Sequence, residues 1–119
     1  MLRVLCFLPD PDDPPMPNRE CACCGSRYPV KRRKMRLFED DTLEGDVCPE
    51  CVLAGPAGAA AKVRERVRSR GETGGDAVDG VDRASWVQRM ERRARLLEET
   101  PAFSLASRQA AVRETRERR

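Results

Sequence analysis

CACCGSRYPVKRRKMRLFEDDTLEGDVCPEC, residues 21–51, holds five of the chain's six cysteines in two clusters, and the chain contains no histidine. Cys21, Cys24 and Gly25 make one C-x-x-C-G unit, and Cys48-Pro-Glu-Cys51 makes a second. Two residues between cysteines is the spacing at which a tight turn aims both sulfurs at one ion, and four thiolates suit tetrahedral zinc. Gly25 suits the positive φ of such a turn, and Pro49 stiffens the other by fixing its own φ. The residues between the pairs read as a β-hairpin. Val30, Met35 and Leu37 supply β-compatible apolar positions, Tyr28 and Phe38 are candidate packing aromatics, and EDDTLEGD (39–46) supplies the turn residues. A two-stranded hairpin alone is too small to be stable, so one structural Zn2+ on Cys21, Cys24, Cys48 and Cys51 is the expected staple.

Two C-x-x-C knuckles bracketing a hairpin resemble the zinc-ribbon and treble-clef domains, with the likeness covering about residues 18–70. A helix after the second pair tilts the choice to the treble clef, and its delay by VLAGPAG (52–58) keeps the zinc ribbon open. Neither resemblance implies an activity. Cys23 departs from the pattern. It is an alternative to Cys24 in a C-x-C geometry, at the loss of the regular turn before Gly25, and otherwise a bystander or an oxidation-sensitive neighbour. Competing readings of the cysteines are a redox pair at Cys48 and Cys51, a rubredoxin-type iron site and a disulfide framework. The first lacks the strand–helix alternation around a redox motif. The second lacks a glycine after Cys51. The third needs an oxidising compartment.

Outward from this block, the 119-residue chain is 36% charged and only 4% aromatic, too polar for a large conventional core. MLRVLCFL (1–8) is too short to span a membrane and lacks a secretory cleavage site. The expected location is therefore cytoplasmic, with no membrane association. Met16 reads as an alternative start, which would leave Cys6 without a role, and residues 1–17 are expected to be a disordered or spurious extension. Scarce lysine, absent isoleucine and a single asparagine point to a GC-rich bacterial or phage genome.

A helix is expected from Pro56, favoured at a first helical position, to Arg70, with Gly71 as its cap. GETGGDAVDG (71–80) reads as a flexible acidic linker. Residues 81–119 read as an arginine-rich helical tail. Its first helix, capped by Asp82, has a stripe of Ala84, Val87, Met90, Ala94 and Leu97 with Trp86 beside it, and a weaker, fraying helix starts near Ser104. The whole is thus an α+β chain: a small four-cysteine zinc-knuckle β-hairpin module followed by helices, with a flexible linker and tails.

Net charge is +3 but unevenly spread: 52–71 carry +4, 72–82 carry −4 and 83–119 carry +5, while 21–51 are neutral. The expected function is that of a non-enzymatic accessory or regulatory protein binding nucleic acid, or working within a nucleic-acid-processing complex. Lys31, Arg32, Arg33, Lys34 and Arg36, with Lys62, Arg64, Arg66 and Arg68, are the candidate phosphate contacts. Solvated strand and helix faces are the plainer account of the same cations. The alternative is a zinc-stabilised adaptor that docks on a larger assembly through its knuckles or through Trp86, Val87, Met90 and Leu97. Packing of that helix on 56–70 or 104–116 is the plainer account of its stripe. Four thiolates leave no open metal position for hydrolysis, and the lack of histidine removes the usual general base.

Overall fold

The computed structural model describes residues 2–7, 16–30, 33–72 and 83–117. Five strands precede three helices: β1 (Leu2–Phe7), β2 (Met16–Glu20), β3 (Arg27–Val30), β4 (Lys34–Glu39), β5 (Thr42–Asp46), α1 (Pro49–Glu72), α2 (Arg83–Glu99) and α3 (Leu105–Glu117). The class is the expected α+β, with antiparallel hairpins followed by helices. Lys31, Arg32, residues 73–80 of the linker expected over 71–80, and the Asp82 cap lie outside the described residues, while Gly71 and Glu72 belong to α1.

Hairpin β4–β5 turns through Asp40, whose φ of 53° is tolerated by a short polar side chain. On β4 the period-two pattern holds: Met35 and Leu37 are fully buried, with half-buried Arg36 between them. Strand β1 adds to the other side of β4, with Val4 opposite Leu37, giving the order β1-β4-β5. A separate two-stranded sheet, β2–β3, carries the first cysteine cluster in its connection. The hairpin expected between the cysteine pairs is β4–β5, while β3, which also lies between them, belongs to the other sheet. β3 pairs back to β2, and β4 pairs with β5.

Within residues 1–17, expected to be an extension, 2–7 and 16–17 are in strands, and 1 and 8–15 lie outside the described residues. Leu2 and Val4 are buried while Arg3 and Leu5 alternate outward, and Met16 opens β2 opposite Val30. Burying the two aliphatic side chains stabilises the fold by about 1.5–3 kcal/mol each. The partner of LRVL (2–5) on β4 lies more than thirty residues away, beyond the reach of a local pattern.

Helix α1 starts at Pro49 instead of Pro56. Gly55 (φ 82°, ψ 171°) leaves the helical region and breaks α1 into two segments, the second beginning at Pro56. A residue preceding proline is pushed out of the helical region, and glycine tolerates the left-handed φ. The second segment buries Ala59, Ala60 and Val63.

Against that small-residue face packs α2, and α3 packs on α1 and on β1. The stripe assigned above to a partner is used inside the molecule. Trp86, Met90, Ala94 and Leu97 are buried and Val87 is half-buried against them. The expected fraying helix is a packed element, with Phe103, Ser107, Ala110, Ala111 and Glu114 all buried. Ser107 donates its hydroxyl to the Val4 carbonyl at 2.8 Å, so α3 satisfies a backbone group on the outer edge of β1. Residues 83–117 are thus part of the core of the fold. No described helix is long and apolar enough to cross a membrane.

Candidate metal centre

The first knuckle is built by its own backbone. Gly25 N–H donates to the Cys21 carbonyl (3.0 Å) and Cys21 N–H to the Ser26 carbonyl (2.9 Å), closing the turn between β2 and β3. Gly25 has φ 77°, a left-handed conformation that favours glycine, and a Cβ there would lie 2.6 Å from Arg66 Nε and displace that side chain. Ala22 N–H donates to the Asp46 carbonyl at 2.7 Å, fastening the knuckle to the end of β5. One residue later the second pair begins. Pro49 is the first residue of α1, and Cys51 N–H (3.1 Å) and Val52 N–H (3.3 Å) both donate to the Cys48 carbonyl. The second knuckle is therefore the first turn of a helix.

These two turns bring the Sγ atoms of Cys21, Cys24, Cys48 and Cys51 within 4.8 Å of one another. Cys21–Cys51 measures 3.6 Å and Cys24–Cys48 3.7 Å. A tetrahedron of thiolates about 2.3 Å from zinc has sulfur–sulfur edges of about 3.8 Å, whereas a disulfide needs about 2.05 Å. The donor set fits one metal ion, and the five cysteines of residues 21–51 are free thiols. Cys23 is fully buried but is not one of the four clustered ligands.

The thiols polarise one another. Cys21 Sγ accepts N–H groups from Cys23 (3.4 Å) and Cys48 (3.3 Å). Hydrogen bonds from Cys23, Cys48 and Cys51 push its thiol far below the ordinary range, despite burial. The donors move the other way: Cys23, Cys48 and Cys51 are raised, first by their hydrogen bond to Cys21 and also by burial. A metal ion is what allows such thiols to be thiolates together.

Four thiolates on Zn2+ leave a net charge of −2, and cations stand around the knuckle. Arg93 donates to the Ala22 carbonyl (2.7 Å) and pairs with Glu44 (3.3 Å). Arg66 pairs with Glu20 (2.8 Å) and lies 5.5 Å over Trp86. Underneath, Arg19 (2.9 Å) and Arg36 (3.8 Å) pair with Asp46. Tyr28 is buried beside them, its hydroxyl has no hydrogen-bond partner, and burial raises its pKa.

The predicted nucleic-acid contacts are placed differently from a free cationic ribbon. Arg33 donates its N–H to Glu114 at 2.9 Å, and Arg36 is held by Asp46. Lys34 is half-buried and engaged. On α1, Arg64 pairs with Glu98 of α2, Arg66 with Glu20 and Arg68 with Glu65, while half-buried Lys62 borders a cleft beside Cys24. The four cysteines are brought together as expected; the described arginines among the predicted cations meet acidic partners. Sequence reading missed Glu114, Ser107 and Arg93 as structural contacts. Arg93 sits among the arginines of α2, while Ser107 and Glu114 share the buried Ala110–Ala111 stripe of α3, and only the approach of a distant element gives each polar group its partner.

Comparison with protein-family models, curated proteins and solved structures found no match to this chain.

Proposed function

We propose that the protein is a non-enzymatic accessory module, folded around one structural zinc, that contacts nucleic acid or an assembly working on it. The observation that carries the structural role is the closure of the cluster. Three of the four ligands are at most 2% exposed, and the sulfur edges match a filled tetrahedron. Such a site holds two elements together and presents no open position for a substrate. The order of knuckle hairpin, second hairpin, then helix bearing the second pair supports the treble-clef resemblance over the zinc ribbon.

For phosphate contact, the best-placed groups are exposed arginines with no ion-pair partner among the described residues: Arg89 and Arg95 on α2, and Arg108, Arg113 and Arg116 on α3. They replace the paired cations of β4 and α1 in this reading. The adaptor reading draws on Leu105 and Val112, which are 60% and 39% exposed and lie seven residues apart on α3, hence on one face. Fluorescence anisotropy of the zinc-loaded protein with duplex DNA, single-stranded DNA and RNA, across a salt series, separates the two. Nucleic-acid contact predicts a steep salt slope that is reduced by Arg89→Glu with Arg95→Glu, or by Arg108→Glu with Arg113→Glu. Absence of binding at low salt would reject it, and pull-down sensitive to Val112→Asp would then favour the adaptor.

A further inference from the structure

The cluster is not equally enclosed on all sides. Cys21 and Cys51 are wholly buried and Cys48 is 2% exposed, as is expected of a structural site. Cys24 alone among the clustered thiols is half-buried. A cleft of about 420 Å³ opens onto it, bordered by Gly25, Lys62, Arg66 and Ser69. Gly25 contributes no side chain to shield the neighbouring sulfur. Of the charges at the cleft, Glu20 is engaged by Arg66 and Glu65 by Arg68, which leaves Lys62 as the cation without a described ion-pair partner. On the other side of the cluster, Cys23 is sealed from solvent, so it cannot meet a reagent first.

Resting on the zinc reading above, we infer that Cys24 is a modification site: the thiolate at which a small organic disulfide enters and opens the cluster. Thiol–disulfide exchange needs an accessible thiolate and in-line approach to a sulfur–sulfur bond, and the cleft offers both only at Cys24. In the first step, Cys24 sulfur attacks one sulfur of R–S–S–R. A Cys24–S–R bond forms, the R–S bond partner departs as a thiolate with the electron pair, and Cys24 ceases to be a metal ligand. Cys48 Sγ lies 3.7 Å from Cys24 Sγ. In the second step it attacks the Cys24 sulfur and expels the second R–S thiolate, leaving a Cys24–Cys48 disulfide. The two protein thiolates are oxidised by two electrons and R–S–S–R is reduced to two thiolates. Only Cys21 and Cys51 then remain as ligands, too few to hold a structural tetrahedron.

The test uses the full chain loaded with zinc, treated with substoichiometric 5,5′-dithiobis(2-nitrobenzoate), a dianionic disulfide suited to the Lys62 side of the cleft. Peptide mass mapping ranks adducts among the five cysteines of residues 21–51, while a chromogenic chelator follows zinc release. The first adduct is expected on Cys24, with zinc release following it. First labelling of Cys21, Cys23, Cys48 or Cys51 overturns the inference. Because Cys24→Ser removes a ligand and risks unfolding, two milder variants carry the argument further. Ser69→Trp, on an exposed helix position, is expected to slow labelling at least threefold by filling the cleft, and Cys23→Ala is expected to leave the rate within twofold. An unchanged rate in the first, or loss of zinc release in the second, counts against Cys24. Metal analysis of the starting protein separates the two readings: absence of zinc defeats both, whereas zinc with labelling elsewhere defeats this inference alone.

Discussion

Glu114 offers the sharpest test of how the C-terminal helix is held. Its side chain is 1% exposed, yet it is a carboxylate on a helix whose neighbours are alanines and arginines. One oxygen accepts the Arg33 backbone N–H at 2.9 Å and lies 3.9 Å from the Arg33 guanidinium. A hydrogen bond to a charged group contributes about 1.5–3 kcal/mol, and removing one partner of a buried pair costs still more when the other is left uncompensated. Glu114→Ala deletes both contacts and is expected to cost about 2–4 kcal/mol. Glu114→Gln keeps an acceptor for the Arg33 N–H and loses only the charge, so a cost of about 1 kcal/mol is expected. In a chain of this size the alanine variant corresponds to a melting temperature lower by roughly 10 °C. Denaturant and thermal unfolding of zinc-loaded protein, with zinc content matched between variants, measures both. An alanine variant within about 0.5 kcal/mol of the parent, in the range of ordinary surface substitutions, would refute the docking of α3 onto the segment that enters β4.

Three further expectations concern other parts of the fold. A chain beginning at Met16 lacks β1 and the burial of Leu2 and Val4, and is expected to lose about 3–6 kcal/mol in urea unfolding; equal stability would show that β1 is dispensable. Zinc affinity should rise with pH, because Cys48 and Cys51 are raised in the metal-free site and must shed their protons on binding. Two protons give about a hundredfold, or about 2.7 kcal/mol, per pH unit, and a chelator-competition slope below one proton between pH 6.5 and 7.5 would contradict that. Gly25→Ala puts a Cβ at φ 77° against Arg66 Nε. It is expected to lower stability by more than about 1 kcal/mol, measured by thermal unfolding with zinc bound, and a neutral result would show that the knuckle relaxes freely.

The four clustered cysteines were legible because their signal is local. Two residues between cysteines define a turn, and the turn aims its sulfurs whatever the rest of the chain does. Alternation at Met35 and Leu37, and the three-or-four-residue recurrence of Met90, Ala94 and Leu97, are likewise short-range and correctly marked inward faces. The same recurrence could not say whether the inward face met a partner or this chain's own α1, since Ala59, Ala60 and Val63 form an unremarkable small-residue face until α2 lies on it. The helix expected from Pro56 is the second segment of α1, and the short first segment from Pro49 was missed for a related reason. Gly55-Pro56 is a true interruption, but the helix on its near side is short and is tied to the Cys48–Cys51 turn.

By itself, the sequence determined the four-thiol site, the α+β class, and which face of β4 and of α2 is apolar, since each follows from spacing within a few residues. Tertiary structure alone decided the rest: that residues 2–7 become a strand of the central sheet, that Leu105–Glu117 docks through Ser107 and Glu114, that the β4 and α1 arginines meet acids, and that Cys24 is the half-buried member of the four-thiol cluster. Those outcomes depend on which surfaces meet across separations of up to about a hundred residues, and complementarity at that range leaves no periodic trace in either partner.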